Sequence, residues 1–211
     1  MSSRTSRALP RLWFPRIAPA IAPAGLWVLS VLGGFVGFAI PAAASDLSSA
    51  ATQENILYIQ LKDGIVEVQL RPDLAPQHVE RIKTLAQEGF YDGVPFHRVI
   101  AGFMAQTGDP KGDGTGGSTL PDLRAEFTAH PFERGVLGMA RSRSPDSANS
   151  QFFIMFAPAP HLNGQYTVFG EVRKGMEFVD NIKKGASHLN GSVADPDTMI
   201  RVRLHPPQNG S

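Results

Sequence analysis

Lys62-Asp63-Gly64 lies between two apolar-rich runs, Ile56 to Leu61 and Ile65 to Leu70. Tight hairpin turns need positive φ, which Asp-Gly supplies at little cost, so this stretch predicts two antiparallel strands. In the second run Ile65, Glu67 and Gln69 alternate with Val66, Val68 and Leu70. One face of that strand is therefore buried and the other is not.

The rest of the chain repeats the theme of short apolar runs joined by turn residues. Further strands are predicted over Phe96 to Ile100, Phe103 to Thr107, Val136 to Ala140, Gln151 to Phe156, Tyr166 to Val172 and Met199 to Leu204. Pro76 suits the first turn of a helix, and Val79, Ile82, Leu85 and Ala86 then recur at helical spacing. His78, Glu80, Arg81, Lys83 and Gln87 fall on the polar side of that helix, and Gly89 is its expected stop. A second helix is predicted over Gly175 to Lys184, with Met176, Phe178, Val179 and Ile182 on its apolar side. The expected fold is all-β with two helices. About eight short strands without βαβ crossovers lose their unpaired edges by closing into an antiparallel barrel.

Gly108 to Gly117 is a glycine-rich loop without the Gly-Lys-Ser/Thr ending of a phosphate cradle. It is expected to let backbone approach something closely. Ser118 to Arg134 is irregular, with Phe127 and Phe132 as expected anchors.

The N-terminus is different in kind. Residues 1–23 hold Arg4, Arg7, Arg11 and Arg16 and no acid, residues 24–40 carry no charge, and Ala42 and Ala44 are small residues at the two positions a signal peptidase reads, with the cut expected after Ala44. Basic start, apolar run and A-x-A end predict a secretory signal peptide over 1–44. An uncleaved membrane anchor is the alternative, because about 20 apolar residues span a bilayer. The expected organisation continues with a linker over 45–55, one domain over 56–205 and a tail over 206–211. The product is expected to be periplasmic or secreted, or held at the inner membrane facing the periplasm if uncleaved. With the leader removed, 16 basic residues face 19 acidic ones, so the domain is mildly acidic. That excludes the broad basic face of a nucleic-acid binder. The chain has no cysteine. Disulfides, thiol nucleophiles and thiolate metal sites are therefore excluded, and the domain must rest on its core.

The stretch from Phe96 to Asp109 carries the chemistry. It sets a permanent cation, Arg98, among Phe96, Ile100, Phe103 and Met104, with the amide of Gln106 at a spacing that can return to it. A guanidinium beside apolar surface costs desolvation free energy, which suggests a working group. A structural salt bridge is the plain alternative. Hydrolase chemistry finds no Gly-x-Ser-x-Gly elbow, and no His-Glu-x-x-His or comparable spacing marks a metal site. His97 is expected to be a core or strand-edge histidine hydrogen-bonded locally. The Asn-Gly-Ser triplets at Asn190 and Asn209 match a glycosylation pattern and are read as incidental turns.

Phe-His-Arg-Val-Ile-x-Gly-Phe-Met-x-Gln-x-Gly-Asp at 96–109 resembles the signature of the cyclophilins, which are peptidyl-prolyl cis-trans isomerases. Gly-Thr-Gly-Gly at 114–117, Gly-Met-Ala at 138–140, Ser-Gln-Phe-Phe-Ile at 150–154 and Leu-Asn-Gly-Gln-Tyr-Thr-Val-Phe-Gly at 162–170 follow in the family's order. Met-Ala-Arg-x-x-x-Pro-x-Ser-Ala-x-Ser-Gln-Phe-Phe from Met139 is similar to the bacterial branch, and with the leader implies its exported members. The resemblance implies an eight-stranded antiparallel barrel capped by two helices, with the active surface on its outside. It implies a catalytic role for Arg98, fixed by Gln106, and a proline pocket of Phe103, Met104, Phe153 and Leu162. Ala140, Arg141 and Gln151 would line the adjoining groove beside Gln106. His161 stands where cyclosporin-sensitive members carry tryptophan, which weakens the expectation of cyclosporin binding. Tyr166 stands where many carry histidine, and Arg81-Ile82 replaces the usual Asn-Phe.

The implied function is rotation about X-Pro bonds in unfolded or flexible polypeptides, aiding the folding of exported proteins. The protein would be a monomer and need no cofactor or metal. A peptide-binding module or chaperone of the same fold, with incidental catalysis, is the other reading.

Overall fold

The computed structural model describes residues 55–206. The expected signal peptide, all of the linker but Asn55, all of the tail but Pro206, and the Asn209 triplet lie outside the described residues.

Eight strands form one antiparallel sheet: β1 (Ile56–Gln60), β2 (Ile65–Leu70), β3 (Arg98–Ile100), β4 (Met104–Thr107), β5 (Val136–Met139), β6 (Phe152–Met155), β7 (Val168–Lys174) and β8 (Arg201–Arg203). Their order is β3-β4-β6-β5-β7-β2-β1-β8. The β1–β2 hairpin forms where expected, with Leu61 N–H donating to Gly64 O, but neither Asp63 nor Gly64 takes the expected positive φ. Gly64 is needed because a methyl there would stand 2.4 Å from the Phe178 ring. Val66, Val68 and Leu70 are buried and their alternates half-buried.

The closed barrel is corrected. The sheet is open and strongly curled, with β3 and β8 as edges that do not pair with each other. Loops satisfy β3 instead. Residues 185–193 run along its free edge, where Val99 N–H donates to Gly191 O, Gly185 N–H to Val99 O and Val193 N–H to His97 O. The segment before β3 meets the segment before β8 outside the strands, through the isolated bridge Pro95 to Thr198 and three backbone hydrogen bonds, Gly93 N–H to Met199 O, Phe96 N–H to Asp197 O and Met199 N–H to Val94 O. An edge covered by a loop needs no barrel closure.

Helix α1 (Pro76–Gln87) buries Val79, Ile82, Leu85 and Ala86 in the core and stops at Gly89, whose φ is +71°. Its polar side is not all solvated. His78 and Arg81 are buried, because residues 118–134 cross over that face. Glu126 accepts from the His78 backbone N–H and lies 2.6 Å from His78 Nδ1. Arg81 donates to Pro121 O and Asn149 O. Of the two expected anchors of this segment, Phe132 is buried and Phe127 is exposed. Helix α2 is shorter than expected, Met176–Asp180, because Asp197 Oδ2 accepts the Lys183 backbone N–H that further helix would use.

Burial pushes the His78 imidazole below its usual pKa, against the attraction of Glu126, and Arg81 lowers it further. Burial likewise lowers His97, opposed by Asp109 and Asp113 and aided by Arg98. His97 is buried as the sequence reading expects, with the Pro95 carbonyl nearby favouring its charged form, although neither ring nitrogen reaches full hydrogen-bond geometry. Both histidines fold neutral, so below the unfolded value near 6.5 the unfolded chain binds more protons. Stability is therefore expected to be level above that pH and to fall as the pH drops through the depressed folded values. Urea midpoints at pH 7.5 and 5.5 check this, the lower midpoint being expected at pH 5.5.

Candidate active site

Period-two alternation puts two sets of side chains on opposite faces of β3, β4 and β6. Val99, Ala105, Phe152 and Ile154 join the main core. Met104, Phe153 and Met155 join a second cluster on the other face, with Ile100 packed against it. Register aligns the outer residues across four strands: Arg98 pairs with Gln106, Gln106 with Phe153, and Phe153 with Gly138. Gly138 leaves room for the rings. A methyl there would stand 2.5 Å from Phe153 Cζ and 2.6 Å from Phe132 Cε1.

Above this row is a pocket of about 360 Å³ lined by Arg98, Phe103, Met104, Gln106, Ala140, Arg141, Phe153, His161, Leu162 and Tyr166. Every expected site residue except Gln151 is at this pocket. Phe103 enters from the β3–β4 turn, which Gly102 makes at φ +70°, and stacks on His161 at 5.8 Å. Leu162 is buried on a single 3-10 turn, Pro160–Leu162. Tyr166 meets Phe153 edge-on at 5.8 Å, and the Arg141 guanidinium lies 4.5 Å over the Tyr166 ring.

Gln151 lines an adjoining pocket of about 420 Å³, which shares Gln106, Ala140 and Arg141 with the first. The glycine-rich loop forms its far wall, and what it approaches is now clear. Its backbone folds around buried Asp109, which accepts from the N–H groups of Lys111, Asp113 and Gly114. Gln151 Nε2 also donates to Gly114 O and Gly116 O.

Arg98 is half-buried, and desolvation lowers its pKa from the usual guanidinium value. The salt-bridge alternative fails, since all of its hydrogen-bond partners are neutral. Nη1 donates to Gln106 Oε1 at 3.1 Å, Nε to Asn190 O at 3.1 Å and Nη2 to Asn190 Oδ1 at 3.0 Å. Gln106 Nε2 in turn donates to Gln151 Oε1, so the cation sits at one end of a chain of amides. Neutral acceptors hold the guanidinium without cancelling its charge. Asn190 was missed as a site residue. Its only sequence signal was the turn dipeptide Asn190-Gly191, far along the chain from Arg98.

On the outer face of a curled antiparallel sheet, an arginine without an acidic partner thus stands beside a pocket floored by Phe103, Met104, Phe153 and Leu162. The comparisons with known proteins name the family. Residues 56–204 match the family model described as cyclophilin type peptidyl-prolyl cis-trans isomerase/CLD. A relative from Brucella suis biovar 1 (strain 1330), named "Probable peptidyl-prolyl cis-trans isomerase", is 53% identical over 189 residues, covering 84% of this chain and 96% of the relative. Peptidyl-prolyl cis-trans isomerase B of Bacillus subtilis (strain 168) is 48% identical over 130 residues, 61% of this chain and 90% of its own. Among solved structures, a Cryptosporidium parvum cyclophilin type isomerase crystallised in the presence of the dipeptide Ala-Pro is 29% identical. It superposes with a TM-score of 0.65 over 72% of this chain and 99% of that one. The chain belongs to the cyclophilin-type peptidyl-prolyl cis-trans isomerases.

Proposed function

We propose that the surface around Arg98 catalyses rotation about X-Pro bonds in flexible polypeptides, and that the protein does so outside the cytoplasm, aiding the folding of exported proteins. The observation that carries the catalytic part is Arg98 itself, held at the rim of an apolar pocket by neutral amides alone. The Ala-Pro dipeptide named with the Cryptosporidium parvum structure supports a proline-containing ligand.

An X-Pro bond resists rotation because the nitrogen lone pair is shared with the carbonyl, a barrier of about 18–20 kcal/mol. In the twisted state the nitrogen recovers that pair and becomes a hydrogen-bond acceptor. Phe103, Met104, Phe153 and Leu162 hold the prolyl ring, with His161 and Tyr166 at the rim. The groove of Ala140, Arg141 and Gln151 takes the flanking chain, and an N–H of Arg98 donates to the prolyl nitrogen as it pyramidalises. A donor satisfied only in the twisted state lowers the barrier without tightening either planar form. No bond to the protein forms, and no proton need leave Arg98.

Exchange kinetics on a short X-Ala-Pro peptide test the activity. The purified protein accelerates both directions, and an uncatalysed rate would refute it. The exported location rests on the basic, apolar and small-residue segments of the leader. Native protein recovered from its source is expected to begin at Ser45 and to be a monomer. An intact leader in a membrane fraction would instead identify an anchor.

A further inference from the structure

Arg98 has to stand still to work, and the residue that restrains it most comes from outside the sheet. Two of its nitrogens are held by one residue, Asn190, through the backbone carbonyl and the side-chain oxygen together. Asn190 adopts left-handed backbone, φ +53° and ψ +34°, at the end of the 3-10 turn Ser187–Leu189. That conformation aims carbonyl and side chain at the same target, and asparagine tolerates it better than most residues. Gly191 follows because a methyl there would stand 2.4 Å from Ile100 Cγ1 and 3.0 Å from Val99 O. The turn is anchored to the strand that carries Arg98, with Gly191 O accepting from Val99 N–H and an isolated bridge joining Arg98 to Ser192.

A guanidinium has five N–H groups. Asn190 takes the pair on its Nε side and Gln106 takes one on Nη1, which leaves one on each terminal nitrogen for a substrate. The same clamp could have been built from a carboxylate, which would have quenched the charge. We infer that Asn190 is a positioning residue for the isomerisation, an amide clamp that fixes the Arg98 fork toward the pocket while leaving its charge unpaired. This rests on the catalytic reading of Arg98 given above.

Asn190→Gly tests it, because glycine keeps the left-handed backbone and the carbonyl acceptor and removes only the side-chain oxygen. The expected result is a fall in kcat of about tenfold, the scale of one hydrogen bond to a charged group, with KM within about twofold. The Arg98 Nε–H signal in nitrogen-15 NMR should exchange faster with water in the variant, and thermal unfolding should move little. In an Arg98→Ala background the same substitution should change nothing further, since the two residues act through one interaction. An unchanged kcat in Asn190→Gly would overturn the inference. So would an equal fall in the Arg98→Ala background, which would make the turn mere scaffolding. If Arg98→Ala is itself fully active, the catalytic reading fails rather than the clamp.

Discussion

Arg98→Ala should lower kcat/KM for an X-Pro peptide by about 10²- to 10³-fold, the loss seen when one preorganised donor is removed from a transition state. The expectation follows from where the charge sits. Arg98 has no acidic partner, so its truncation leaves no buried carboxylate behind and breaks no salt bridge. The amides of Gln106 and Asn190 that lose their donor lie at the rim of an open pocket, where water can replace it. The fold should therefore survive, and the loss should appear in kcat. Arg98→Lys should recover only part of it, because an ammonium cannot serve both amides and the substrate from one planar fork.

Phe152→Ala should have the largest effect on stability, about 3–5 kcal/mol, the usual range for truncating a buried phenylalanine. Phe152 is fully buried and meets Tyr91 edge-on at 5.6 Å and Phe169 edge-on at 5.7 Å. Those neighbours come from the turn after α1 and from β7, so the cavity opens between separate elements and cannot collapse locally. The loss is a large share of the 5–15 kcal/mol typical of a folded domain. At about 2–4 °C per kcal/mol the melting temperature should fall by roughly 10 °C. The adjacent Phe153→Ala should behave differently, because its side chain lies on the other face beneath the pocket. It should raise KM more than it lowers stability. Urea titrations and peptide kinetics on the two variants separate the faces directly.

The parts that were legible in the sequence are those governed by neighbours along the chain. The position of the β1–β2 hairpin, the alternation in β2 and the start and stop of α1 at Pro76 and Gly89 follow from turn composition and periodicity, although the positive φ expected at Asp63-Gly64 is absent and the Phe178 ring is what requires Gly64. The pocket was legible through the order of the motifs; Phe153 by itself is indistinguishable from a core residue. What failed depended on segments that approach from elsewhere. His78 looked solvated because helical periodicity cannot foresee that Glu126, on an irregular segment, will close over it. The closed barrel failed for a related reason: residues 185–193 supply the hydrogen bonds that β3 would otherwise seek from β8. Asn190 was invisible as a site residue because its value lies in one backbone conformation and a distant partner.

The most direct test of the central claim is to measure binding and exchange separately on one Ala-Pro peptide at equilibrium. Peptide affinity and the cis-trans exchange rate at saturation would be read by NMR for wild type and Arg98→Ala. If the arginine acts on the twisted bond alone, affinity should be nearly unchanged while exchange at saturation falls by about 10²-fold or more. Exchange that is preserved at saturation, or that falls only as far as affinity does, would contradict the account.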